Sequence, residues 1–521
     1  KNLIVGQGDV VKSLGGPITI NGGKVTVSGA DTGLSVTSLN AIFTSLKDNP
    51  PLAPPPVLPV DVSDAAAVSC PSVLVSVCNP GPGDWGGLVI TSNAAGARGS
   101  GDITYGLINY ANTGISLDSG PNRATSEPNY RLIVTNTTIA NASKDGINSL
   151  DTPFSVGSSS KVVNVGANGI VASFFSPASC APPPPLPAPD PCVRLNVTGS
   201  TVTGTGKDGI VANGLGSQPT TISNNTVANA GTYGIRLVGA DQVTLNDNTV
   251  SNSGGATASF RYPSIYLSGV KADFELVAGD RRVARNHGSG NGLDAMVLHG
   301  EATQPLVWLT TGVAAPAAVP PVPADHFGYV LDGALTVDGA LATNKDFVKV
   351  LSGAITVKGA LTATDTTFTS AKDGGVPIKL CDVAFDSALI QRVGTPAACP
   401  PAASGQWAGI NVTGAATLTN VTIGFDDGLT VTGGPLQYAG GAMHDIARNA
   451  IVVTRSPLSV TNVAFSNIGL DAIDSIDSGS SDTVTDDQFD HVTGVSINIQ
   501  NSPADLRRNV FTNDTGQAVK T

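Results

Sequence analysis

The sequence predicts an all-β fold, a solenoid whose coils stack into a parallel β-helix with about 22 residues per coil. Three observations predict it. A small residue followed by an aliphatic one recurs at Gly428-Leu429, Ala450-Ile451, Ala472-Ile473 and Gly494-Val495, and Gly516 continues the series, so that the residue number rises by 22 at every step. Between these marks lie short β-branched runs of period two, such as Thr419 to Ile423, Leu429 to Val431 and Leu458 to Val460, cut by Gly, Asn, Asp and Ser. Helical periodicity is absent, which sets two-helix repeats aside. A fixed period of this size means that each repeat buries its apolar face only by stacking on its neighbours. Strands of adjacent coils then lie in register at ~4.8 Å. The small residue before each Ile or Leu fits a turn with positive φ or a close approach between coils, which Gly admits most readily.

Composition narrows the partners. With 13% charged residues, 61 glycines and a net charge of −12, the outer surface is read as hydroxyl and amide, and neither nucleic acid nor an anionic membrane is expected as a partner. No apolar run reaches the ~18 residues a membrane span needs. The chain starts at Lys1 in a strand-like segment, which is read as a mature or excised piece of a secreted precursor, so an extracellular or cell-surface location is expected. Six cysteines fall in three local pairs, Cys70-Cys78, Cys180-Cys192 and Cys381-Cys399. Their closeness favours three local disulfides pinning loops, out of 15 pairings that six cysteines allow. Zinc is the competing reading, but no CxxC or neighbouring His accompanies them.

The chain carries one passage twice. Residues 11–20, VKSLGGPITI, match residues 348–357, VKVLSGAITV; Phe43 to Asp48 match Phe368 to Asp373; and Gly83 to Gly87 match Gly405 to Gly409. The order is conserved and each copy holds a Cys-bearing insert, residues 49–82 and 374–404. An internal duplication follows: module A over residues 1–313, with a further loop at 177–192, a Pro/Ala-rich connector over 314–326, and module B over 327–521. Trp85 and Trp407 are read as indoles covering the coil beside each insert rather than as sugar platforms.

Segments such as Asn141-Ala-Ser-Lys-Asp-Gly-Ile147, Gly206-Lys-Asp-Gly-Ile210 and Asn225 to Ile235 resemble the coils of right-handed parallel β-helix proteins, the pectin-lyase-like superfamily. The repeated FTS…GDWGG passage is similar to a module of secreted and cell-surface bacterial β-helix proteins. The resemblance implies a right-handed coil. It also implies a choice between polysaccharide lyases, glycosidases, adhesins and structural surface proteins, which fold alone does not make.

The glycosidases of that superfamily carry carboxylates, His and basic residues on successive coils. Asp426 and Asp427, followed by His444 and Arg448, keep that order but lack the flanking Asn-Thr-Asp, Gly-His-Gly and Arg-x-Lys. Aligned on the turn glycines, Asp426 and Asp427 match Asn112 and Thr113, so a turn role is the bland reading. A second cluster, Arg281, Arg285 and His287, suits an acidic sugar or a general acid and base, or simply a solvated face. Asp471, Asp474 and Asp477 open the richest acidic stretch and are the one candidate cofactor site, for calcium. Tyr233, Tyr262 and Tyr266 are candidate exposed aromatics for glycan contact. The sequons at Asn136, Asn141, Asn196, Asn224, Asn411, Asn420 and Asn513 follow from composition and do not establish glycosylation. An ice-binding row is suggested by Thr356, Thr362, Thr364, Thr366 and Thr367, but the threonines are not read as recurring at one position in successive 22-residue coils.

Without a coherent catalytic set, the expected function is a non-catalytic extracellular structural or adhesive protein: a rod of a cell surface, sheath or fibre that self-associates end to end or laterally. The alternative is a lyase or hydrolase acting on acidic glycans.

Overall fold

The structure, a computed structural model, describes residues 2–13, 15–29, 41–45, 80–93, 97–118, 131–157, 159–174, 195–254, 262–268, 276–277, 280–281, 283–284, 286–302, 306–308, 328–373, 384–386, 389–391 and 402–521. Among these residues every regular element is a strand. The named strand pairings are parallel, except for two hairpins, Leu276–Val277 with Asp280–Arg281 and Ala384–Asp386 with Leu389–Gln391. The fold is a right-handed parallel β-helix. Among the described residues no helix is long and apolar enough to cross a membrane. The six cysteines and the connector at 314–326 lie outside the described residues.

Two compact units divide the chain, Lys1–Arg236 and Leu237–Thr521. In the first, each coil contributes a strand to three faces. On one, Ile115 pairs with Ile147, Ile147 with Ile170 and Ile170 with Ile210, so the residue number advances by 32, then 23, then 40. Register is therefore kept while the loops between strands vary in length. The second face runs through Leu132, Phe154 and Leu195, and the third through Ile139, Val162, Val202 and Val227. These inward residues are buried, each worth about 1.5–3 kcal/mol of apolar burial. Alternate residues face outward, as strand pleating requires.

The glycines before these strands answer to crowding between coils. A Cβ on Gly146 would stand 2.6 Å from the carbonyl oxygen of Gly169, and one on Gly169 2.5 Å from that of Gly209. Gly428, by contrast, has φ +112°, in the region where a side chain is strained.

The second unit corrects the repeat. Leu429 pairs with Ile451, Ile451 with Ile473, Ile473 with Ile497 and Ile497 with Val519, so the residue number advances by 22, 22, 24 and 22 from coil to coil. The residues that continue the column of Ala450 and Ala472 are Ser496 and Ala518, whose carbonyls accept from Ile473 and Ile497. Gly494 and Gly516 lie two positions earlier. The extra pair sits at residues 477–481, because Arg455 still bonds to Ile476 while Ser459 pairs with Thr483. Asp477 and Gly479, both at positive φ, turn that longer corner.

The threonine row is likewise hidden by unequal coils. Thr364 pairs with Thr419, then Thr419 with Ala439, Ala439 with Thr461 and Thr461 with Thr485. Hydroxyls do recur at one position, interrupted at Ala439 and ended by Arg507.

Polar side chains stack inside the corners too. In the first unit the Asn225 Oδ1 accepts from the Ser200 amide (3.0 Å) and its Nδ2 donates to the Val197 carbonyl (2.8 Å). Asn509 repeats this on Asp487 and Val484. Asp487 occupies the same kind of position with a carboxyl: Oδ1 accepts from Val463 (2.7 Å), while the buried Oδ2 has no partner. Burial pushes its pKa up to about 7.

Candidate functional site

The passage from Gly405 to Arg448 brings together the residues that sequence order singled out. Trp407 is 2% exposed and pairs across the coil with Asp426, and its indole N–H donates to the Gly424 carbonyl at 3.1 Å. Asp427 donates its amide to the Trp407 carbonyl (3.2 Å), and the Ala447 amide donates to the Asp426 carbonyl (2.8 Å). The backbone here is thus pinned from both neighbouring coils, and the indole is part of the wall.

Trp85 is built the same way. It is fully buried, donates to the Asn109 carbonyl at 2.7 Å and pairs with Ala111. The counterpart of Asp426 in the first unit is therefore Ala111, and that of Asp427 is Asn112, not the Asn112 and Thr113 that matching glycines suggested. The turn before Gly428 is one residue shorter than that before Gly114, which moves the alignment by one.

Inside the wall, Asp426 is completely buried and neither carboxyl oxygen has a hydrogen-bond partner. Burial pushes its pKa up to about 8; the Gly428 amide moderates the rise without meeting hydrogen-bond geometry, and the Asp427 charge adds to it. The group is mostly protonated at neutral pH. Tyr438, also buried, has its hydroxyl between the Val421 (2.7 Å) and Ala442 (3.1 Å) carbonyls, and burial with the nearby Asp426 pushes its pKa far up.

On the outside the picture differs. His444 Nδ1 lies 2.9 Å from Asp445 Oδ2, and its ring sits edge-on to Phe425 with centroids 5.1 Å apart. Arg448, 74% exposed, brings Nε to 3.8 Å from Asp427 Oδ1. The surface thus holds Asp427 with Arg448, and separately His444 with Asp445. Asp426 faces the interior, so the two carboxylates cannot act on one substrate.

The other candidates fare unequally. Arg281 belongs to the short hairpin strand Asp280–Arg281, Arg285 lies outside the described residues, and His287 begins the strand His287–Ser289, half-buried. Asp471 and Asp474 converge on Asn498, whereas Asp477 turns a corner at φ 54° and accepts from Asn501 at 2.9 Å. Among the described residues no group of three or more His, Cys, Asp or Glu is placed to hold a metal. Tyr233 and Tyr266, expected to be exposed, are 4% and 6% exposed, since they point into coils and not at solvent.

Sequence reasoning passed over Lys349. It is buried, its ammonium donates to the Asp373 carbonyl, and burial lowers its pKa to about 8 against the opposing pull of the Asp373 charge. Its equivalence with Lys12 in the repeated VK dipeptide was the available signal.

Stacked three-faced coils and carboxyls folded into the wall define the class: a parallel β-helix solenoid. In keeping with this, residues 192–272 match a family profile described as the right handed beta helix region. No curated protein and no solved structure matches the chain.

Proposed function

We propose that this chain is a non-catalytic structural or adhesive β-helix of an extracellular surface. One observation carries the reading: the most enzyme-like constellation is spent on architecture. Asp426 is sealed in the core as an acid, and His444 is engaged by Asp445 and Phe425. A duplicated scaffold module is supported by matched pairings. Val11 pairs with Phe43 and Lys12 with Thr44 in the first unit, as Val348 does with Phe368 and Lys349 with Thr369 in the second. Function then lies in shape and in the loops between strands.

The purified chain is incubated with uronate-containing and neutral glycans, with and without calcium, and new reducing or unsaturated ends are measured. The reading expects none. Turnover that disappears in Asp427→Asn or His444→Ala overturns it in favour of a lyase or hydrolase.

A further inference from the structure

Three asparagines, each immediately before a strand, bridge to the preceding coil in one way. Asn225 accepts from the Ser200 amide (3.0 Å) and donates to the Val197 carbonyl (2.8 Å). Asn286 accepts from the Asn248 amide (3.2 Å) and donates to the Leu245 carbonyl (2.8 Å). Asn509 accepts from the Asp487 amide (3.0 Å) and donates to the Val484 carbonyl (2.8 Å). In each case the carbonyl lies three residues before the amide (200−197, 248−245, 487−484). Asp487 holds the same place ahead of Gln488–Val492, and its Oδ1 accepts from the Val463 amide at 2.7 Å. Three residues before Val463 is Val460, which pairs with Val484, the residue whose carbonyl Asn509 meets one coil on. Oδ2 of Asp487 therefore stands where the asparagines carry their N–H donor, and it is buried with no donor reaching it. A carboxylate there would set one acceptor against another, whereas a carboxylic acid supplies the O–H that the position calls for.

We propose that Asp487 is a proton-operated latch between neighbouring coils: its Oδ2–H donates to the Val460 carbonyl, and loss of that proton turns oxygen against oxygen and loosens the corner. No cation on the packed elements takes the proton's place. The strands Leu458–Thr461, Ala464–Ile468 and Val510–Thr512 carry no charged residue. Asp482 accepts from the Leu458 amide (3.1 Å) and the Ser475 hydroxyl (2.7 Å). Asp486 is held by Arg508 (2.6 Å), Asp505 by Arg507, and Asp490 lies 2.9 Å from His491 Nδ1. Burial pushes the Asp487 pKa up to about 7, with the Val463 amide opposing and the Asp486 charge adding to the rise. A raised carboxyl stabilises in full below its ordinary value near 4, and that contribution is lost as pH rises through about 7. The latch is thus closed in acid and open above neutrality. It stands whether the chain is a scaffold or an enzyme.

Backbone hydrogen exchange of the full chain, corrected at each pH for intrinsic exchange, tests the latch in wild type and Asp487→Asn. The amides to follow are Val463, bonded to Asp487 Oδ1, and Gln488, which donates to the Val463 carbonyl at 3.0 Å. Their protection in the wild type is expected to fall by at least about tenfold between pH 5 and 8 and to stay level in Asp487→Asn, whose amide donates at every pH. Asp426 is present in both proteins, so its titration cancels. Infrared spectra with labelled Asp carboxyl carbons read the proton itself: wild type minus Asp487→Asn shows one hydrogen-bonded carboxylic acid at pH 5 and none at pH 9. Level protection in the wild type, an equal fall in both proteins, or no such acid band at pH 5 overturns the proposal. Should Asp487→Asn not fold, the wild-type exchange decides alone, and level protection from pH 5 to 8 is the overturning result.

Discussion

Trp85 and Trp407 hold the same place in their coils, each donating from its indole to a carbonyl and pairing with a residue two positions beyond it. What they pair with differs. In the first unit it is Ala111, apolar and buried, followed by the three-residue turn Asn112-Thr113-Gly114. In the second it is Asp426, equally buried, followed by Asp427 and Gly428 alone. The shorter turn forces Gly428 to φ +112°, where its Cβ would meet neighbouring backbone. The frame is thus set by the indole and the backbone pairing, and the carboxyl is an addition that the architecture does not require. Its consequence is a proton-dependent core in the second unit.

Removing the shared part gives the largest effect. Trp407→Ala should cost about 3–5 kcal/mol in its unit, and Trp85→Ala a similar amount in the other; denaturant unfolding of each variant reads both, and a cost in only one breaks the equivalence. Transplanting the difference comes next. Ala111→Asp buries a polar group without a partner and should cost about 1–3 kcal/mol. It should also give the first unit a new loss of stability as pH rises, seen in melts from pH 4 to 9. The glycine column sharpens the contrast further: Gly169→Ala should cost about 1–3 kcal/mol through overpacking against the next coil. Ala472→Gly in the second unit should cost only about 0.5–1 kcal/mol through added chain freedom.

One substitution should be a gain. Asp487→Asn supplies the missing donor of the corner stack and should stabilise by about 1 kcal/mol. Asp487 has a folded pKa raised to about 7, so stability is present in full below its unfolded value near 4 and is lost as pH rises through 7. The gain in Asp487→Asn should therefore grow with pH.

The strands and their stacking were legible because their signal is local. β-branched runs of period two, cut by Gly and Asn, appear wherever the structure has a coil. Register was legible only where coils are equal. Between Leu429 and Ile473 the regular step held, but the two residues added at 477–481 shifted Gly494 out of the column that Ser496 continues. Sequence spacing cannot tell an insertion in a corner from a continued repeat; only pairing can. The site was legible as an order of residues and not as directions. Asp426 and Asp427 are adjacent, and strand alternation sends one inward and the other outward, which their register against Trp407 decides.

The measurement that bears most directly on the claim that Asp426 belongs to the core is thermal stability against pH for the wild-type chain and Asp426→Asn. A carboxyl whose folded pKa is raised to about 8 contributes stability in full below its unfolded value near 4, and that stability is lost as pH rises through 8. The wild-type melt of the second unit should therefore fall between pH 5 and 9, and the Asp426→Asn melt should be flatter over the same range. Parallel curves for the two proteins would mean that Asp426 titrates as an ordinary exposed carboxylate, contradicting its place in the wall.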